Sequence, residues 1–177
     1  AGESNSVLAN MTTIPEFNQL IMNKGTDQTY TATINSNISL GSPANSTSGL
    51  KPVQLLNGTL VFNNSALDLD ISTGDEDFKI PSTACLQLTQ GIANVSGDDA
   101  GILLDGKLLI DGGTLDMISG AGNGNNYIEY SASGNAEIEI SSGNLWVGSQ
   151  LRRSLITEEG ILSFTQSGGE VQLGVND

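Results

Sequence analysis

Paired apolar residues recur along this chain at one fixed spacing, and no catalytic residue type recurs with them. Leu60/Phe62 precede Leu67/Leu69, and Leu86/Leu88 precede Ala93/Val95. Leu108/Ile110 precede Leu115/Met117, Ile138/Ile140 precede Leu145/Val147, and Leu162/Phe164 precede Gly169/Val171. In all five copies the four positions fall at offsets 0, 2, 7 and 9, and successive copies start 26, 22, 30 and 24 residues apart. A period of two puts residues on one face of a strand, and a repeat of about 25 residues is one turn of a solenoid. The pattern predicts that the four offsets point inward and stack copy upon copy.

A third apolar stretch follows each second pair after a bend: Phe78-Lys79-Ile80, Ile102-Leu103-Leu104, Tyr127-Ile128-Glu129-Tyr130 and Leu155-Ile156. Three short strands per coil predict an all-β chain, a right-handed parallel β-helix of about five to six coils. The corners Asn63-Asn64-Ser65, Asp111-Gly112-Gly113, Ser141-Ser142-Gly143 and Thr165-Gln166-Ser167 are built of residues that suit tight turns. Asn at a corner is expected to stack in a hydrogen-bonded ladder. Tyr30 to Ile34 and the pair Ile38/Leu40 read as a degenerate first coil, and Gly41 to Pro52 as a loop excursion.

Residues 1–24 break the pattern and predict an N-terminal cap, with the β-helix occupying residues 25–177. Pro15 to Met22 has two readings, a short helix with Pro near its first position or an irregular strand; either covers the open end of the core. After Val171 and Leu173 only Gly174 to Asp177 remain, which predicts a fragment of a longer solenoid, continued by further coils or self-associating at the C-terminal end.

Composition narrows the chemistry. Histidine is absent and Cys85 is the single cysteine, so the inventory holds no Cys–His nucleophile pair and no zinc ligand set. Cys85 precedes Leu86 in a strand and is expected to be buried, with an intermolecular bridge as the lesser reading. Six basic residues against 20 acidic ones give a net charge of −14, and Lys24, Lys51, Lys79 and Lys107 are isolated in sequence. That distribution offers no basic stripe for nucleic acid or an anionic membrane. Charged residues are only 15% of the chain, so Asn, Ser, Thr and Gly supply most of its polarity, as in many exported bacterial proteins.

Carboxylates are the remaining reactive candidates. Asp98-Asp99 and Asp75-Glu76-Asp77 read as solvated turns, and Arg152-Arg153 as a bend, so no catalytic residue and no cofactor is assigned. Asp68 and Asp116 share offset +8, with Asn94 between them, and are the candidates for a Ca²⁺ site on an outer face. Gly120 to Ile128 approaches a Gly-rich Ca²⁺-binding nonapeptide but lacks its Asp. Trp146, also at offset +8, is expected to face outward, where with Tyr127 and Tyr130 it would give a sugar-stacking platform; a covering loop or neighbouring chain is the alternative. Asn-x-Ser/Thr sequons stand at Asn10, Asn37, Asn45, Asn57, Asn63 and Asn94.

With rungs such as Gly106 to Met117 laid out, residues 55–177 resemble the right-handed β-helical passenger regions of bacterial surface proteins. These include autotransporter and filamentous-haemagglutinin-like adhesins and large exported repeat proteins. The resemblance is one of pattern and carries no site residues with it. It implies a non-enzymatic segment of an adhesin or surface-filament stalk, extracellular or at the bacterial cell surface, with a surface glycan or protein as partner. The competing expectation is a carbohydrate-active β-helix, either a polysaccharide lyase or a glycan-binding module.

Overall fold

The computed structural model describes residues 4–8, 13–40, 51–73, 76–97, 99–119, 125–130, 135–154, 156 and 160–174. Several sequence readings lie outside those residues: most of the loop excursion (41–50), Asp75, Asp98, the start of the Gly-rich stretch (120–124), Leu155, the sequons at Asn10 and Asn45, and residues 175–177. The described chain is all-β, with seventeen strands, and it winds as a parallel β-solenoid of about five turns.

The N-terminal segment supplies β1 (Ser6–Leu8), β2 (Glu16–Phe17) and β3 (Leu20–Asn23). The first turn is β4 (Thr31–Ile34), β5 (Ser39–Leu40) and the opening half of β6 (Val53–Phe62). The closing half of β6 begins the second turn, followed by β7 (Asp68–Ser72) and β8 (Phe78–Ile80). The third is β9 (Ala84–Leu88), β10 (Ile92–Val95) and β11 (Gly101–Leu104). In the fourth and fifth, β12 (Lys107–Met117) and β14 (Asn135–Val147) run unbroken around a corner before β13 (Tyr127–Tyr130) and β15 (Leu151–Arg153). Finally β16 (Ile161–Gln166) and β17 (Glu170–Leu173) lie against β14.

Each turn contributes one strand or half-strand to each of three faces. The first face carries β1, β4, β6, β9, β12, β14 and β16 in order. The second carries β7, β10, β12, β14 and β17, and the third β8, β11, β13 and β15. Every ladder is parallel, because each strand returns to the same face one turn later in the same direction.

The apolar offsets explain the interior. Leu60, Leu86, Leu108 and Ile138 are in register on the first face, and each is at most 1% exposed. Ala93, Leu115 and Leu145 stack likewise on the second face, and Phe78, Ile102 and Ile128 fill the third. Burying one such Leu or Ile side chain stabilises the fold by about 1.5–3 kcal/mol. Polar ladders fix the corners between these columns. Asn63 Nδ2 donates to Asn35 Oδ1 at 2.8 Å, Thr89 Oγ1 donates to Asn63 Oδ1 at 2.9 Å, and Ser141 Oγ donates to Asp111 Oδ1. The corner Asn ladder expected from sequence therefore forms at its start, and other small polar residues continue it.

The structure corrects the repeat at both ends. In the first copy Leu69, not Leu67, is in register with Ala93, because the corner Asn63 to Leu67 is two residues longer than later corners; Leu67 is buried within that corner. In the last copy Phe164 rather than Leu162 lies beside Ile138, and Val171 rather than Gly169 lies beside Leu145. A slip of two residues leaves the inward face inward, so apolar spacing alone does not choose between the two registers. Glycine does: Gly143 and Gly169 hold φ of +82° and +71°, and a Cβ on Gly169 would stand 2.5 Å from the Gly143 carbonyl oxygen. The shorter register would put Ser167 at that left-handed corner.

Two further readings change. The third strand of the fifth turn is Leu151–Arg153, so Arg152-Arg153 belong to a strand rather than a bend, and Ile156 is 91% exposed. Of the two forms open to Pro15 to Met22, the chain takes the strand: β2 pairs with β5 and β3 with β6. Leu8, Phe17 and Leu20 pack against the core, so this segment follows the path of a turn as it covers the apolar column.

Candidate functional site

The outer surfaces of the three faces differ in charge. Outward positions on the second face bring Asp70, Asn94, Asp116, Trp146 and Gln172 into one row. The expected partner of Asn94 in that row was Asp68; the longer corner moves Asp70 there instead, and Asp68 pairs with Ile92. Asp68 still meets the row diagonally, since Asn94 Nδ2 donates to its Oδ1 at 2.6 Å. Asp116 is 7% exposed, and its Oδ1 accepts the backbone N–H groups of Ile118 and Ser119 at 2.8 and 2.9 Å. Its carboxylate thus holds the turn after β12. Among the described residues no three His, Cys, Asp or Glu side chains gather to hold a metal ion.

The aromatic candidates stand apart. Trp146 is on the second face, half-buried, and its indole Nε1 is enclosed without a hydrogen-bond partner among the described residues. Tyr127 and Tyr130 are on the third face, and strand alternation turns them opposite ways: Tyr130 packs against the core in register with buried Leu104, while Tyr127 faces out.

Tyr127 is the centre of the most organised polar cluster on the described surface. Its ring lies over Gly101, its register partner, where a Cβ would stand 2.3 Å from the ring. The missing side chain lets the Tyr127 hydroxyl reach across that turn and donate to Asp77 Oδ1 at 3.1 Å. The same oxygen accepts the Gly101 N–H at 2.7 Å. Burial, then the adjacent Asp77 charge, pushes the Tyr127 phenol above its ordinary value and keeps it a donor. From the following turn, the Arg152 guanidinium sits 3.7 Å from the ring centroid and its Nε donates to Glu129 Oε2 at 2.9 Å. Lys51 joins from the other side, donating to the Asp77 backbone carbonyl and lying 3.5 Å from Glu76.

Sequence reading found Tyr127 but not its companions. The signal was the repeat length applied to polar residues: Asp77, Gly101, Tyr127 and Arg152 follow one another at intervals of 24, 26 and 25. Lys24, Lys51 and Lys79, isolated in sequence, are likewise 27 and 28 apart.

On the first face, Lys107 lies 3.2 Å from Glu137 and 2.7 Å from Glu139. The Glu139 hydrogen bond, partly opposed by burial, raises the Lys107 ammonium above its ordinary value. Cys85, the register neighbour of Lys107, is 4% exposed, and burial pushes its thiol up to about 11, so the thiol is shielded as expected from sequence.

No family model, no curated protein and no solved structure matches the chain.

Proposed function

We propose that this chain is a non-enzymatic segment of an extracellular surface protein, an adhesin or surface-filament stalk, whose parallel solenoid serves as a rigid rod presenting its outer faces and loops. The observation that carries this reading is where the outward carboxylates are engaged. Asp116 holds a turn, Asp77 bonds the next strand's backbone and a tyrosine of the turn beyond, and Glu129, Glu137 and Glu139 pair with cations of a neighbouring turn. These five carboxylates, among the described residues, are tied into contacts within and between coils rather than left open for general acid–base chemistry.

Surface labelling tests location, and glycan turnover tests the absence of catalysis. Antibody against the chain should label intact cells of the source organism, and the purified chain should release no product from acidic or neutral polysaccharides. Labelling only after permeabilisation would remove the surface assignment. Turnover by the folded chain would replace the stalk reading with the carbohydrate-active one.

A further inference from the structure

Cations are sorted onto one side of this acidic molecule. Of the six basic residues in the chain, Lys79, Arg152 and Arg153 lie on strands of the third face, and Lys51 stands two residues before β6, whose opening half lies beyond β8 without a ladder to it. The second face carries Asp68, Asp70, Asp116 and Glu170, with no Lys or Arg on its described strands. The first face sets Lys107 against Asp111, Glu137 and Glu139. An anion approaching the rod is therefore repelled most by the first two faces and least by the third, where Glu76, Asp77 and Glu129 stand among the cations.

The third face is also shaped along the solenoid axis. One outward column reads Lys79, Leu103, Glu129, Arg152. Lys79 is exposed and makes no ion pair among the described residues, whereas Glu129 is matched by Arg152. Beside Lys79 the sheet is interrupted, because β6 pairs with β3 and β8 with β11, and no ladder joins β6 to β8. A groove of about 180 Å³ opens there, lined by Lys51, Val53, Gln54, Leu55, Leu56 and Lys79, with Leu56 44% exposed. Down the face the order is therefore apolar at Leu56, cationic at Lys79, apolar at Leu103, and then the Glu129–Arg152 ion pair. Three turns separate Lys79 from Arg152, which at strand spacing is about 14 Å.

From this arrangement we infer that the third face binds a linear acidic glycan, a chain of uronate-type sugars lying along the rod. The inference rests on the reading of the chain as a presenting rod and names what the rod meets. Pyranose rings offer apolar faces to Leu56 and Leu103, while their carboxylates meet Lys79 and the outer edge of the Arg152 guanidinium. Nucleic acid needs an open aromatic face for its bases to stack on, and the Tyr127 ring on this face is already covered by the Arg152 guanidinium.

The test is calorimetric titration of the folded chain with polygalacturonate, with the same polymer methyl-esterified, and with single-stranded DNA of matched length. The acidic form should bind, with affinity falling as salt rises, and the esterified polymer and DNA should bind at least tenfold more weakly. Lys79→Glu, at an exposed position, should weaken binding about fivefold or more, and Lys79→Gln with Arg152→Gln tenfold or more. Ser163→Glu with Thr165→Glu makes the same net-charge change as that double variant on the first face and should leave binding within twofold. Absence of binding, equal binding of the esterified polymer or DNA, or equal weakening by the first-face pair would each overturn the inference without touching the stalk reading. Cleavage of the polymer, in contrast, would remove the stalk reading and leave the recognition of acidic sugars standing.

Discussion

Single residues fix this fold where backbone from one turn meets backbone from the next. A Cβ on Gly143 would stand 2.1 Å from the Gly113 carbonyl oxygen, and φ at Gly143 is +82°, so steric clash and left-handed strain oppose any side chain there. Gly143→Ala is expected to destabilise the chain by about 2–4 kcal/mol, a large effect for one methyl group. Chemical denaturation would measure it, and a loss below about 0.5 kcal/mol, the range of ordinary surface changes, would show that the corner is not constrained in this way. Cys85 gives a pH-dependent prediction. Its folded thiol is pushed up to about 11 from 9.0, chiefly by burial, so between those values the unfolded chain releases a proton that the fold retains. The stabilisation is fully present below about pH 9 and is lost as pH rises through about 11; its size is roughly 2–3 kcal/mol. From about pH 8 to pH 11.5 the native chain should lose that much more stability than Cys85→Ala, and parallel losses would mean that the thiol is not shielded.

Among the elements, the strands with a single reading were visible in the sequence, and those with two were not. Offsets 0, 2, 7 and 9 correctly placed the apolar columns for the copies starting at Leu86, Leu108 and Ile138. The pattern misled at the long corner Asn63 to Leu67 and in the last copy, because a two-residue slip preserves inward and outward alternation. The candidate cluster was less visible for a related reason: Asp77 and Arg152 lie 75 residues apart, and only the path of the solenoid brings both to Tyr127. Glycine controls the last register, and cysteine pairs can report it. Glu139 faces Thr165, so Glu139→Cys with Thr165→Cys should cross-link under mild oxidation, whereas Glu139→Cys with Ser163→Cys should not. Adding Ser167→Gly and Gly169→Ser should reverse that preference, moving Phe164 from Ile138 to Ile140. If the glycine exchange leaves the cross-link unchanged, apolar contacts rather than the glycine corner hold β16 in place.

At the scale of the whole molecule, each turn touches only the turns before and after it, so stability is a sum of turn and neighbour terms rather than the property of one central core. Burial follows that logic. Leu108, Ile110, Leu115, Met117, Ile138 and Ile140 in the fourth and fifth turns are 0% exposed, whereas Ile161 is 68%, Phe164 41% and Leu173 49% exposed. On the N-terminal side Val7 and Ile21 are 55% and 52% exposed. Local opening should therefore begin at the strands with the least covered apolar surface and advance inward turn by turn. Native-state hydrogen exchange of the 177-residue chain would read this as a gradient. Amides of β16, β17 and β1 should exchange first, those of β4 and β15 next, and those of β9, β12 and the first half of β14 last. Gly143→Ala should speed exchange most in the fourth and fifth turns, which meet at that corner, and least in β6 and β9. Uniform protection across all turns, collapsing together in denaturant, would instead make the solenoid a single cooperative unit and would remove the nearest-neighbour account of its stability.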